Sequence, residues 1–183
     1  MLMTRKLTAQ EKQNMSEVIV LATENDREEL MALYTAQMGR EFCPWEEGYP
    51  GNETIDFDLA RDALFVMKRD EKIIAAVSID EDEDVAALPC WDPALAPGGE
   101  LARLCVLPDL QNGGIARKML QHGMEQLKKR GYKSIHFLVN KHNTKAIRSY
   151  AVFGFAHVGE CYMFEQDFFC YEKALDEVMV KDV

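Results

Sequence analysis

The stretch Leu104-Cys105-Val106-Leu107-Pro108-Asp109-Leu110-Gln111-Asn112-Gly113-Gly114-Ile115-Ala116-Arg117 decides the fold. An apolar run of strand character passes a proline and two adjacent glycines, then opens a helix over 115–130. Ala116, Met119, Leu120, Gly123 and Leu127 recur on one side of that helix. Lys128-Lys129-Arg130 suit the negative end of its dipole, and Gly131 stops it. Glycines let backbone amides point outward together, and the first N–H groups of a helix have no internal partner. The combination makes a site for a phosphate or pyrophosphate, while the same dipeptide serves equally as a tight turn that starts a helix. Two phosphate motifs are excluded: there is no Gly-x-x-x-x-Gly-Lys-Ser/Thr, and no Gly-x-Gly-x-x-Gly follows the first strand.

Outward from this stretch, strands and helices alternate. Glu100–Val106 reads as the strand that enters the turn, and Ser134–Asn140 as the strand after the helix. A further helix is expected over Asn143–Phe153, then more strand. Upstream, Val18–Leu21 reads as a first strand. A helix follows it, started by Thr23 or Asn25 and carrying Leu30, Leu33, Tyr34 and Met38 at helical spacing. A loop over Phe42–Gly51 ends that helix, and a second is expected between Glu53 and Arg61. Ala63–Lys68 and Lys72–Ile79 form a hairpin about Arg69-Asp70-Glu71. The segment from Glu81 to Gly99 reads as a polar, proline-bearing connection. Strands joined by helices imply crossovers and a mixed α/β sheet.

The chain of 183 residues fits one domain, expected over 17–175, with 1–16 a flexible N-terminal segment and 176–183 a tail. With 48% hydrophobic residues it can bury a core, but no apolar run reaches the roughly 20 residues of a membrane helix. No apolar secretory stretch follows the N-terminal charges, so a cytoplasmic protein is expected. A net charge of −10 speaks against a nucleic-acid partner, and no membrane partner is expected. Five cysteines without a Cys-x-x-Cys pair, and four histidines without ligand spacing, give no expectation of a metal site or a disulfide framework.

Gln111-x-x-Gly114-x-Ala116 resembles the Arg/Gln-x-x-Gly-x-Gly/Ala signature of the GNAT superfamily, the acyl-CoA-dependent N-acyltransferases. Asn143-x-x-Ala146-x-x-x-Tyr150-x-x-x-Gly154-Phe155 looks like the second motif of that family, in the expected order. The resemblance is strongest over 100–160. It implies a single α/β domain whose mixed central sheet has a splayed strand pair and flanking helices. It also implies acetyl-CoA as co-substrate and an amine of a small molecule or peptide as acceptor, a non-catalytic acyl-CoA-binding module being the alternative. A homodimer stays open.

By that resemblance, the loop amides of Gln111, Asn112, Gly113, Gly114, Ile115 and Ala116 hold the CoA pyrophosphate. The free edge of Leu104, Cys105 and Val106 pairs with the pantetheine arm, and Asn143 touches the cofactor while capping its helix. The Asn-Gly-Gly loop lacks the usual basic residue, so a cation is expected from Arg117, Lys118 or the Asn143 region. Tyr150 matches the tyrosine beside the thioester sulfur, which protonates the leaving thiolate; its plain reading is a core aromatic beside Phe153 and Phe155. Glu100 is the candidate base, a water chain being the alternative and a solvated strand end its plain reading; it is expected to share a strand face with Ala102, Leu104 and Val106. His136 reads as a satisfied structural histidine. Acceptor recognition is expected from Trp45, Glu46 and Tyr49, with Phe42, Glu47 and Trp91 nearby, since aromatics beside carboxylates suit a cationic amine.

Overall fold

The computed structural model describes residues 16–41 and 43–175. The expected N-terminal segment to Met15, the tail from Asp176 and Phe42 lie outside the described residues. Seven strands form one sheet: β1 (Glu17–Leu21), β2 (Leu64–Arg69), β3 (Lys72–Asp80), β4 (Gly98–Val106), β5 (Ser134–Asn140), β6 (Ala156–Met163) and β7 (Gln166–Ala174). Their order is β1-β2-β3-β4-β5-β7-β6. Every pair is antiparallel except β4 with β5, which a helical crossover joins. The hairpin turns follow from backbone conformation. Asp70 and Glu71 both take positive φ between β2 and β3, as Phe164 and Glu165 do between β6 and β7, which matches the twist of the paired strands.

Among the described residues, five α-helices flank the sheet: α1 (Arg27–Thr35), α2 (Asn52–Leu59), α3 (Glu83–Ala86), α4 (Ile115–Lys129) and α5 (Thr144–Val152). On one face, Leu30, Leu33 and Tyr34 of α1 and Ile55 of α2 pack against Leu64, Val66, Ile73, Ala76 and Cys105. On the other, α4 buries Ile115, Met119, Leu120 and Leu127 against Phe65, Val77, Leu101 and Phe137. β2 and β3 are covered on both faces, which is why they read as continuous apolar runs. None of the described helices is long and apolar enough to cross a membrane.

Three local expectations change. The Glu81–Gly99 connection contains α3, because Asp82 caps it by accepting from the amides of Asp84 and Val85, and Glu83 and Asp84 suit its first turn. Within α4, Ile115 and not Ala116 takes the buried position. The third change is in β4, where Ser78 pairs with Ala102 but Ala76 pairs with Cys105, so β4 carries one extra residue. Arg103 takes φ +53 at this bulge and reverses the alternation after it. Glu100 therefore does not share a face with Leu104 and Val106. Leu101, Leu104 and Val106 meet the α4 side, while Arg103 turns toward Asp58 of α2 and Cys105 joins the α1–α2 side.

Gly123 lets α4 approach β4 closely: a Cβ there would lie 2.2 Å from Leu101 Cδ1. Gly123→Val should lower unfolding stability by about 2 kcal/mol, the usual scale of overpacking a core. Urea denaturation gives the value, and an unchanged midpoint would mean that the helix is not held against β4 here.

Candidate active site

β4 and β5 pair over only three residues, from Gly98 opposite Ser134 to Glu100 opposite His136. Beyond that pair they separate, which leaves the β5-facing edge of Leu101–Val106 without a strand partner and opens a cleft of about 1240 Å3. Its wall takes in Leu104, Cys105, Val106, Gln111, Asn112, Gly114, Ile115, Ala116, Arg117, Asn143 and Tyr150, together with Glu100. Gly113 belongs to the same turn but is not part of that wall.

Gly114 caps α4 in the left-handed conformation, φ +81, with open space where a side chain would begin. The first i→i−4 bond of α4 is that of the Lys118 amide to the Gly114 carbonyl, which puts the positive end of the helix dipole at this turn. Gln111 anchors this turn. Its Nε2 donates to the Val106 carbonyl at 3.2 Å, and its Oε1 accepts from Lys145 Nζ at 3.0 Å and Arg40 Nη2 at 3.3 Å. Two cations thus stand at the loop. Lys145 comes from the expected Asn143 region. Arg40 is 71 residues from Gln111, too far for local spacing to reveal. Lys118 is instead paired with Glu17 at 2.7 Å, and the Arg117 guanidinium lies over the Phe153 ring at 5.3 Å. Asn143 caps α5 by accepting from the Ala146 amide at 3.0 Å.

Toward the other end of β4, Glu100 is largely buried. Burial first, then the nearby carboxylates Asp80 and Asp82, push its carboxyl up to about 8. A carboxyl with that value is balanced between acid and base near neutral pH, which suits a general base. Tyr150, on α5, packs its ring against Phe137 at 4.4 Å with the planes tilted by 47°, and burial pushes its phenol up to about 12. It therefore keeps its proton across the working range and can only donate. Both the core-aromatic contact and the cleft position hold for this residue.

The bulged Arg103 ties the acceptor side together. Its Nη2 donates to both oxygens of Asp58 at 2.9 and 3.0 Å, and its Nη1 donates to Asp80 Oδ2 at 2.7 Å and the Tyr49 hydroxyl at 3.2 Å. Ser78 Oγ donates to Asp58 at 2.6 Å. A guanidinium this buried requires matched charge, and Asp58 and Asp80 supply it. The signal in the sequence was an arginine inside an otherwise apolar strand, though nothing local named its partner. Trp45 and Tyr49 line the cleft, joined by Glu53, Phe57, Asp80 and Asp82. Glu46 and Glu47 are exposed and not part of its wall, and Trp91 stacks on His136 at 4.5 Å, also off the wall.

β4 parts from β5 after Glu100 and runs on to a glycine turn at the N-terminus of α4, the layout of one family of acyltransferases. A family model described as the acetyltransferase (GNAT) family matches residues 28–155, and the chain belongs to that family. No curated protein matches it in sequence. In fold it is similar to an N-acetyltransferase from Staphylococcus aureus Mu50, at 20% identity and a TM-score of 0.67, covering 88% of this chain and 99% of that one. It is similar likewise to the ribosomal-protein-S18-alanine N-acetyltransferase of Escherichia coli, at 18% identity and 0.66, covering 92% and 99%. A third likeness is the PaiA N-acetyltransferase of Thermoplasma acidophilum in complex with coenzyme A, at 18% identity and 0.67, covering 87% and 99%.

Proposed function

We propose that this chain moves the acetyl group of acetyl-CoA to a primary amine of a small molecule or peptide, by direct attack of the amine on the thioester. The observation that carries the reading is the layout along β4. A helix start with two cations stands after its C-terminal end, and Glu100 stands near its beginning, roughly 20 Å of strand before Val106 at 3.3 Å per residue. Acetyl-CoA supplies the activated acyl group and a thiolate leaving group. The amides of 111–116, with Lys145 and Arg40, would hold its phosphates, and the open edge of Leu104, Cys105 and Val106 would pair with its pantetheine amides. Glu100 takes the proton from the bound ammonium, and the Tyr150 hydroxyl gives one to the departing sulfur.

Gly114→Val should weaken acetyl-CoA binding at least about tenfold, or 1.4 kcal/mol, since a β-branched side chain strains φ +81 and fills the space before the amides. Calorimetry on the folded variant measures this. Unchanged affinity would remove the loop from the site.

The acceptor side bears Glu53, Asp82 and Glu100 among Trp45, Tyr49 and Phe57, while Arg103 and Asp80 are matched to each other and to Asp58. Such a wall suits an amine with a second positive charge. A linear diamine should give kcat/KM about tenfold above the monoamine of equal length, and the preference should shrink in high salt. Equal values at low salt would remove charge from acceptor recognition.

A further inference from the structure

The acceptor lip of the cleft is the loop before α2 and α2 itself, which bring Trp45, Tyr49, Glu53 and Phe57 to the wall. The facing edge, where the cofactor arm would lie, belongs to β4. One side chain of β4 bonds the lip twice. Arg103 Nη1 donates to the Tyr49 hydroxyl at 3.2 Å, and its Nη2 donates to Asp58, on α2, at 2.9 and 3.0 Å. The bulge makes this reach possible, since regular alternation from Leu101 would have put residue 103 on the α4 side. Charge is not what Arg103 offers an acceptor. Asp58 and Asp80 already face Arg103 and Arg61, whose Nη2 lies 3.0 Å from Asp58 and 3.7 Å from Asp80. A rigid fork of donors holds partners from several elements at once, which a single ammonium cannot do. Tyr49 is 49% exposed, so burial alone does not fix its ring.

We infer that Arg103 is a positioning residue for the acceptor: by bonding both Tyr49 and Asp58 it sets the acceptor lip against the β4 edge that faces the cofactor. The inference rests on the transferase reading above. Arg103 acts here through Tyr49 and α2 and takes no part in proton transfer. A lip that is already held loses less freedom when the acceptor binds, so the benefit falls on acceptor binding and not on the chemical step.

The test is acceptor kinetics at saturating acetyl-CoA, with calorimetry of acetyl-CoA binding alongside. Tyr49→Phe keeps the ring and removes the bonded oxygen. The acceptor KM should rise about tenfold, while kcat stays within about twofold and acetyl-CoA affinity is unchanged. The rise should be alike for every amine turned over, monoamine or diamine, because the lip itself is released. A hydroxyl that touched the acceptor directly would spare the amines with no group to meet it, and that result overturns the inference. Arg103→Lys keeps a charge for Asp58 and Asp80 but loses the fork, so its KM should rise at least as much. Tyr49→Phe in that background should add less than about twofold, since both changes break one link. A full further rise of about tenfold there, or a Tyr49→Phe KM equal to wild type, also overturns it. Should Arg103→Lys fail to fold, the amine series with Tyr49→Phe decides alone. Wild type that releases no thiol with any amine rejects the transferase reading and this role with it, whereas an active wild type beside an unchanged Tyr49→Phe rejects the role alone.

Discussion

Glu100→Gln is expected to lower kcat/KM about 100-fold at neutral pH, the usual scale for one positioned base. The pH profile carries the sharper signature. Burial beside Asp80 and Asp82 raises the Glu100 carboxyl to about 8, so wild-type kcat/KM should climb tenfold per pH unit and level off near pH 8 as the carboxylate forms. Glutamine has no such transition. The variant depends on amine that is already neutral, and that fraction keeps growing up to the amine's own pKa. The deficit should therefore be constant below about pH 8 and narrow above it. A loss that does not change with pH would instead mean damage to acceptor positioning. Folding stability should respond in the matching sense. A carboxyl raised in the folded state binds a proton there that the unfolded chain has released between about 4.5 and 8. Its contribution is full below that window and is lost as pH rises through it, so Glu100→Gln should gain in Tm relative to wild type as pH rises.

Tyr150→Phe should leave acetyl-CoA affinity within about threefold, less than 1 kcal/mol, while turnover falls about 100-fold. The ring contacts with Phe137, Phe155 and Tyr171 survive the change, so packing and stability should barely move. Only the proton donor is removed. Measurement at saturating acetyl-CoA makes kcat report chemistry and not occupancy. Turnover equal to wild type would leave Tyr150 as a packing residue, with water or another group as the acid.

The legible part of this molecule was local. Gln111-x-x-Gly114-x-Ala116 sets a left-handed residue directly before a helix, and the spacing from Asn143 to Tyr150 puts a cap and a phenol on one short helix; both are consequences of neighbouring residues. What stayed hidden depends on distant chain. The reversal of β4 at Arg103 is an arginine in a conformation that favours glycine, held by Asp58 and Asp80 from other elements. Arg40 reaches Gln111 from the bend after α1 and Lys145 from α5. His136 was expected to be satisfied, yet its Nδ1 has no partner among the described residues, and Trp91 stacks on its ring. Cys161 and Cys170 meet at 3.8 Å through the pairing of β6 with β7, although they are nine residues apart.

The measurement that tests the central claim most directly is free-thiol release from acetyl-CoA with a panel of primary amines, run beside calorimetry of acetyl-CoA binding. The account predicts binding to the chain and thiol release that depends on the amine, strongest with a diamine and slowed about 100-fold by Glu100→Gln and by Tyr150→Phe. Acetyl-CoA that binds but releases no thiol with any amine of the panel would contradict it, and would make the chain a binding module.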